Sequence, residues 1–275
     1  MYQWHQREIN GRPNYGWLRT MVYGLSQQLL RQDPVYYRAY VLCRPDKEHR
    51  LVSYPYYCKY AVKGDSTAFK HIDVNIPRLL EGGRGANMIQ GSLSLDDEAA
   101  DNCTIMLHGM HHHLSTWWEN LKVRGLATDG FVHKFEARHF TDADKQQFGL
   151  DWVNVPCKAG DVRISLPHLP HGSHGPCKAT RRTLLPWFVA VQDDLKTLEV
   201  EEGGLWEELA TAHRDLVAPP RTPLGLANMY GRIPFAFPAA VPLTGISPLS
   251  DALVCARKWD NIAAIEEYEL IFSAN

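Results

Sequence analysis

The segment Lys70-His71-Ile72-Asp73 places an imidazole and a carboxylate two positions apart. In an extended strand, residues i and i+2 point to the same face, so the side chains of His71 and Asp73 can reach one point in space. One further imidazole would complete a set of two histidines and one carboxylate. This donor set holds Fe(II) while leaving positions open for a co-substrate and O2. Because a chain with 13 histidines produces His-x-Asp by chance often, the third ligand decides this interpretation.

The segment from Gly160 to Arg182 supplies the candidate third ligand. It contains three candidate imidazoles, His168, His171 and His174. His168 stands between two prolines and would replace His171 if the strand ended early. His174 lies beyond a glycine and is predicted to be a loop residue.

The triplet His111-His112-His113 is a second histidine-rich feature. Consecutive side chains project in different directions, so no more than two of the three could share one ion. We interpret the triplet as a loop at the rim of the site, with one member in contact with a substrate.

The elements that must position these residues are predicted to be mostly strands. Runs of Tyr, Val and other β-formers at period two indicate strands over residues 36–43, 51–62, 69–74, 87–95, 103–107, 152–156, 162–166 and 183–191. In the run from Val162 to Leu166, the apolar residues alternate with Arg163 and Ser165, the pattern of a half-buried strand. Strands with metal ligands on them and helices outside them favour a jelly-roll barrel of the cupin type.

Helices and loops are predicted around these strands. Apolar spacing indicates helices over residues 15–32, 114–126, 141–148 and 205–217, and Thr141 is expected to cap the third. Residues 77–85 form a Gly-rich loop, and the Pro-rich stretch 219–248 is expected to pack on the main body. We predict one domain over residues 1–275, with an N-terminal helix and strand (1–50), a barrel core (51–192) and a C-terminal extension (193–275).

Composition limits the functional classes. The formal net charge of −2 and the absence of long runs of like charge argue against a nucleic-acid or anionic-membrane partner. No stretch approaches 18 consecutive apolar residues, so we expect no transmembrane helix. The six cysteines contain no C-x-x-C pair, which favours reduced thiols and a cytoplasmic location. The oligomeric state is left open.

Four segments together resemble one enzyme family. They are His71-x-Asp73, Gly160-Asp161, His171-Gly172-Ser173 and Arg182, in this order. The order is similar to that of the phytanoyl-CoA dioxygenase-like branch of the Fe(II)/2-oxoglutarate oxygenases, and the similarity covers roughly residues 51–191.

A further stretch agrees with the family's strand, acidic turn and Pro-Gly-Ser-His segment. It runs from Leu95-Asp96-Asp97 through Asp101-Asn102-Cys103 to the segment that begins at Leu107. It departs from the family pattern at His108, where the family has proline, and at Met110, where the family has serine.

The resemblance implies a double-stranded β-helix in which His71, Asp73 and His171 bind iron. It also implies that 2-oxoglutarate chelates the metal and pairs its distal carboxylate with Arg182, helped by Ser173. The planar fork of arginine matches a carboxylate bidentately. Adjacent residues on a strand face opposite ways, so only one of Arg181 and Arg182 can point inward, and the family spacing favours Arg182.

On a barrel-lining strand, Asn87 or Gln90 could hydrogen-bond the co-substrate or the substrate. The sequence therefore predicts an oxygenase that uses Fe(II), 2-oxoglutarate and O2 to oxidise a C–H bond of a small molecule, by hydroxylation, desaturation or cyclisation. Specialised metabolites and acyl compounds are both candidate substrates. Two alternatives stay open: a cupin-type metalloenzyme that does not use 2-oxoglutarate, and a non-catalytic barrel that acts as a binding module.

Overall fold

The computed structural model describes the positions that form the sheets and the helices around them. These are residues 17–18, 30, 33–43, 49–54, 58–65, 70–81, 88–127, 135–185, 187–192, 204, 207–208, 211 and 248–253. The chain divides into two units. One comprises residues 1–17 and 59–184, and the other comprises residues 18–58 and 185–275.

Strands dominate the described residues. They are β1 (Trp17–Leu18), β2 (His49–Tyr54), β3 (Cys58–Ala61), β4 (Met88–Ser94), β5 (Thr104–Leu107), β6 (Trp152–Val155), β7 (Val162–Ser165), β8 (His171–Ser173), β9 (Arg181–Leu184) and β10 (Trp187–Gln192). The helices are α1 (Pro34–Val41), α2 (Ile76–Leu80), α3 (Leu114–Val123), α4 (Asp142–Phe148) and α5 (Pro248–Leu253). The expected mainly β architecture, with antiparallel sheets and few helices, is therefore confirmed for this part of the chain.

The first unit contains two antiparallel sheets. In one of them β3 neighbours β9, β9 neighbours β4, and β4 also pairs with β7. The other has the order β6-β5-β8. In the second unit β10 pairs with β2, with Trp187 opposite Tyr54 and Gln192 opposite His49.

The facing surfaces of the two sheets are unusually polar. Within one sheet, Ser92 on β4 pairs with Arg163 on β7. Within the other sheet, Thr104 on β5 pairs with Ser173 on β8. The Arg163 guanidinium donates to the hydroxyl of Thr104 on the other sheet, at 2.8 Å. Both side chains are buried, so polar residues fill part of the space between the sheets.

Strand β7 shows how this interior differs from the usual pattern. The alternation of residues 162–166 predicts a strand, and β7 confirms it. Its polar face, however, is the interior one: Arg163 is 8% exposed, whereas Leu166 just beyond the strand is 37% exposed. Hydrogen-bond partners on the opposite sheet make the burial of Arg163 tolerable.

The prediction of a strand over residues 36–43 is wrong, because the chain forms helix α1 there. The Asp33 side chain accepts a hydrogen bond from the backbone N–H of Tyr36, and Pro34 occupies the first helical turn. Both features favour helix initiation, and together they outweigh the strand preference of the Tyr and Val residues.

Three smaller predictions also need correction. Residues 77–81 were expected in a loop, but helix α2 begins at Ile76, with Asn75 as its N-cap. Residues 70–74 form one β-bridge at His71 rather than a continuous strand. The predicted strand over 183–191 is two strands, β9 and β10.

Several expectations lie largely outside the described residues. They are the helices over 15–32 and 205–217 and the stretch 219–248. Within the first of these, Trp17 and Leu18 are in strand β1, whereas Leu30 is helical. Within the second, Glu207, Glu208 and Thr211 are helical. The single-domain arrangement stays a prediction.

Helices α3 and α4 agree with the sequence, whereas α5 was not predicted. Helix α3 buries Trp117, Trp118 and Leu121, and the Trp117 indole donates to the His139 carbonyl at 2.7 Å. At the start of α4, Thr141 and Asp144 form the reciprocal capping box that the sequence suggested in part. In the described part of the chain, none of the helices has the length and apolar character needed to cross a bilayer.

Candidate metal centre

His71 and His171 are brought together by the backbone. The two residues form an isolated antiparallel bridge in which each N–H donates to the carbonyl of the other, at 2.8 and 3.0 Å. Directly opposed residues project their side chains to the same face of a sheet. Their imidazole rings accordingly lie 4.3 Å apart, centroid to centroid.

Asp73 joins them because two backbone hydrogen bonds hold the segment that carries it. Its N–H donates to the Pro167 carbonyl at 3.0 Å, and the N–H of Phe135 donates to the Lys70 carbonyl at 2.5 Å. These two bonds fix the path of the chain beyond His71, and the side chains of His71 and Asp73 meet.

The three side chains converge on one point. The Asp73 carboxylate lies 3.3 Å from His71 Nε2 and 3.4 Å from His171 Nε2. The ligand atoms of all three lie within 4.8 Å of one another, and in the described part of the chain this is the only such group of His, Cys, Asp or Glu. Ligands about 2.1 Å from one ion at right angles are separated by about 3 Å, so the spacing suits a shared metal.

The protonation of His171 also suits a metal ligand. Its Nδ1 lies 2.9 Å from the Leu169 carbonyl oxygen. A carbonyl can only accept, so Nδ1 donates to it, and Nε2 is the ring nitrogen that faces Asp73. A backbone carbonyl behind a ligating imidazole is a common arrangement in metal sites.

Asp73 is held in its ionised form. Burial by itself would raise the pKa of Asp73, but the adjacent His71 and His171 and the Gln90 side chain lower it well below its ordinary value. Gln90 Nε2 donates to Asp73 Oδ2 at 2.5 Å. Gln90 lies on β4, so this bond ties the carboxylate to the sheet.

The partial exposure of the three residues leaves room for other ligands. The side chains of His71, Asp73 and His171 are 13%, 21% and 17% exposed. A closed structural site would bury all of its ligands behind protein. Here one side of the group remains accessible, and the residues present fit a metal that keeps open positions.

The two neighbouring arginines face opposite ways, in the reverse of the orientation favoured from the sequence. Arg182 is half exposed and pairs with Asp96 on the outside of the sheet, with its Nη2 2.6 Å from Asp96 Oδ1. Arg181 is 3% exposed and donates to the Ser173 hydroxyl at 2.9 Å. The expectation that Arg182 points inward is therefore corrected, and Arg181 takes the inner position.

Ser173 relates this arginine to the histidines. It lies two residues after His171 on β8, so both side chains project to the same face, about 6–7 Å apart along the strand. The Arg181 guanidinium thus lies on the face that carries the triad.

The sequence reasoning missed one group beside Arg181, a buried ion-pair cluster. Glu98 accepts from Arg163 at 2.8 Å and forms an ion pair with Arg181 at 2.9 Å. No local signal indicated it, because the alternation of Arg163 and Ser165 with apolar residues is also the pattern of a strand whose polar side faces solvent. A buried arginine on a strand needs a carboxylate partner.

The other histidine candidates lie outside the triad. His174 Nε2 bonds the Asn154 side chain at 2.6 Å. His111 belongs to a 3-10 turn, Met110–His112, and its ring lies 6.5 Å from that of His168. The Nδ1 atoms of both rings are buried and lack a hydrogen-bond partner among the described residues. Contact between the triplet and a substrate stays a prediction.

Comparison with known proteins gives only distant likenesses. No protein-family model and no curated protein matches the chain. AviO1 from Streptomyces viridochromogenes Tue57 is 23% identical, with a TM-score of 0.31 over 50% of this chain and 51% of that one. The epimerase SnoN, in complex with Fe3+, alpha ketoglutarate and nogalamycin RO, is 12% identical, with a TM-score of 0.41 over 60% of each chain.

A third structure is that of EctD from S. alaskensis with 2-oxoglutarate and 5-hydroxyectoine. It is 15% identical, with a TM-score of 0.40 over 59% of this chain and 55% of that one. The matches span only 27% and 51% of the first two similar structures, EvdMO1 and AviO1. These likenesses are too distant to decide the function, which therefore has to be inferred from the site.

Proposed function

We propose that the chain is a non-haem Fe(II)/2-oxoglutarate-dependent oxygenase that oxidises a C–H bond of a small organic molecule. We further propose that its two sheets form a double-stranded β-helix and that it belongs to the phytanoyl-CoA dioxygenase-like branch. The observation that supports the activity most is the convergence of His71, Asp73 and His171, with a buried guanidinium on the same face.

In this proposal the three converging side chains hold Fe(II). Bound together with 2-oxoglutarate and O2, the metal supplies the oxidation of the substrate, with succinate and CO2 as the co-products. The protein's own contribution is geometric. The His71–His171 bridge fixes the distance between the imidazoles, and Gln90 orients the carboxylate.

Arg181 replaces Arg182 as the proposed partner of the distal carboxylate of 2-oxoglutarate. It is buried, it carries a permanent positive charge, and it donates to Ser173, the hydroxyl that was expected to share this role. A direct contact between Gln90 and the co-substrate stays a prediction. The contact that the Gln90 amide makes in the structure is with Asp73.

The partners follow from the same site. We propose a small-molecule substrate, either a specialised metabolite or an acyl compound, because the accessible side of the triad is where a substrate would lie. We keep the cytoplasmic location as a proposal. It is supported by the free thiols of Cys43, Cys103, Cys157 and Cys177.

The test compares two histidine variants. We expect the protein to bind Mn(II), as a redox-inert substitute for Fe(II), and then 2-oxoglutarate, both measured by calorimetry. With Fe(II) and ascorbate it should form succinate slowly even without substrate. His171→Ala should lose metal binding and succinate formation. His174→Ala, an imidazole only three residues away but outside the triad, should retain both. Wild-type protein that binds no 2-oxoglutarate in the presence of metal would rule out the proposal.

One observation favours a second candidate, a metalloenzyme that uses the triad without 2-oxoglutarate. Arg181 already has a carboxylate partner in Glu98. Under this alternative, Arg181 is structural and metal binding persists without any affinity for 2-oxo acids. The same calorimetric titration separates the two candidates.

A further inference from the structure

Two guanidiniums and one carboxylate share a buried cluster between the sheets. Arg163 donates to Glu98 Oε2 at 2.8 Å, and Arg181 Nη2 forms an ion pair with the same oxygen at 2.9 Å. Both arginines donate to Thr104 Oγ1, at 2.8 and 2.6 Å. Arg163 is 8% exposed, Arg181 is 3% exposed and Glu98 is 2% exposed. The two arginines are therefore close neighbours in an environment that screens their charges poorly.

The charges of this cluster do not balance. Burial by itself would raise the pKa of Glu98, but Arg181 and then Arg163 lower it below its ordinary value, so Glu98 is ionised at neutral pH. Among the described residues, Glu98 is the only carboxylate paired with either guanidinium. Two positive charges thus face one negative charge, and a buried charge without a counter-ion is costly.

Two hydrogen-bond donors without a partner also indicate that the cluster lacks a negative charge. The Nε atoms of Arg163 and Arg181 are buried and have no hydrogen-bond partner among the described residues. Buried N–H groups in native proteins are nearly always bonded. One additional anion with acceptor oxygens would both balance the charge and use these donors.

We infer that Glu98 is a specificity-determining residue of the co-substrate pocket. By neutralising part of the charge on Arg181, it limits how strongly the pocket prefers 2-oxo acids that carry a distal carboxylate over those that lack one. This inference rests on the proposed function. It adds that the preference is set by the Arg163–Glu98–Arg181 charge balance rather than by Arg181 alone.

The experiment measures a ratio of affinities in Mn(II)-loaded protein by calorimetry. The two ligands are 2-oxoglutarate and 2-oxobutyrate, which share the metal-chelating end but differ in the distal carboxylate. The ratio of their affinities cancels any general effect of a substitution on metal binding. Glu98→Gln raises the cluster charge and should increase the preference for 2-oxoglutarate about tenfold, a shift of about 1.4 kcal/mol.

Arg163→Gln provides the opposite change. It leaves Glu98 paired with Arg181 alone, so the cluster becomes neutral and the preference for 2-oxoglutarate should fall about tenfold. The double variant, Glu98→Gln with Arg163→Gln, restores the original net charge and should return the ratio to that of the wild type. If Glu98→Gln does not fold, Arg163→Gln and the double variant decide the question.

A purely structural role for Glu98 would lower stability and leave the ratio unchanged. An unchanged or lowered ratio in Glu98→Gln, with both acids still binding, overturns this inference and leaves the proposed function intact. An unchanged ratio in Arg163→Gln overturns it in the same way. If wild-type protein with metal binds neither 2-oxo acid, the proposed function fails and this inference fails with it.

Discussion

His71 and His171 are opposite one another in a single antiparallel bridge, with both backbone hydrogen bonds formed. The sharing of one face by their imidazoles is thus a property of the main chain rather than of side-chain packing. Asp73 reaches the same face from two residues away. The metal site proposed here would depend on a few hydrogen bonds behind its ligands, and these can be tested one at a time.

Gln90 is predicted to tune metal affinity without being a ligand. In Gln90→Leu the Asp73 carboxylate loses the amide donor that orients it. Removal of such a supporting bond typically costs about 10- to 100-fold in metal affinity. Calorimetric titration with Mn(II) should show this loss. Gln146→Leu, an exposed position on α4, should bind as the wild type does. Equal affinities in all three proteins would show that Gln90 does not support the site.

The two neighbouring arginines should respond in opposite ways to the same substitution. In Arg181→Gln, the affinity of the Mn(II)-loaded protein for 2-oxoglutarate should fall about 100-fold, because a charge-assisted bidentate contact contributes roughly 2–3 kcal/mol. In Arg182→Gln, the affinity should change by less than about twofold. The Arg182–Asp96 pair is half exposed, so its loss should lower stability by about 0–1 kcal/mol. A larger loss of affinity in Arg182→Gln would assign the role to that residue instead.

His168 should make stability depend on pH. Burial, and secondarily the neighbouring His111, lowers the pKa of His168 to about 4, whereas its ordinary value is 6.5. The unfolded chain therefore takes up the proton more readily than the folded protein. The stabilisation is complete above about pH 6.5 and is lost as the pH falls towards about 4.

Melting temperatures of the wild type and of His168→Asn measure this contribution between pH 7 and pH 4. The wild type should lose more stability over this range than the variant, because the variant has no proton to take up at this position. His112→Asn, an exposed member of the triplet, should follow the wild-type curve. Parallel curves for wild type and His168→Asn would contradict the prediction.

Gly109 is predicted to be intolerant of a side chain. Its φ of +88° is unfavourable for other residues, and a Cβ there would lie 2.9 Å from Leu150 Cδ2. Gly64 has a similar φ of +94° but no atom within 4 Å of such a Cβ, so it controls for the backbone effect. Denaturant unfolding should show that Gly109→Ala is less stable than Gly64→Ala by about 1 kcal/mol. Equal losses would show that Leu150 moves aside without cost.

Two members of the proposed ligand set were accessible from the sequence because their geometry is local. A period of two places His71 and Asp73 on one face wherever the chain is extended, whereas His171 was chosen among three candidate histidines through the family resemblance. Bringing these segments together in one bridge depended on long-range pairing, which the sequence does not encode in any short pattern.

The arginine orientation was not accessible in the same way. Arg181 and Arg182 differ by one position, and a shift of one residue in a connection exchanges the inner and outer faces of a strand. The sequence between Ser173 and Arg181 contains no alternation of polar and apolar residues that would show which of the two arginines faces inward. The burial of Arg163 was not predicted for a related reason. It is tolerated only because Arg163 has partners outside its own sheet, and these are distant in sequence.

Helix α1 illustrates a third kind of limit. Its Tyr and Val residues favour strands, but the Asp33 cap and Pro34 act over one turn and decide the outcome. Greater weight on the local initiation signal would have predicted it correctly.

The bridge between His71 and His171 also has a consequence for folding. It joins positions separated by about one hundred residues through two main-chain contacts, and a bound cation would add a chelate link across the same junction. Like a covalent cross-link, such an ion penalises the expanded chain more than the native one, since it closes a long loop. The ion would then stabilise the fold in addition to taking part in the reaction. Loading with Mn(II) should therefore slow the exchange of the amide hydrogens at this junction.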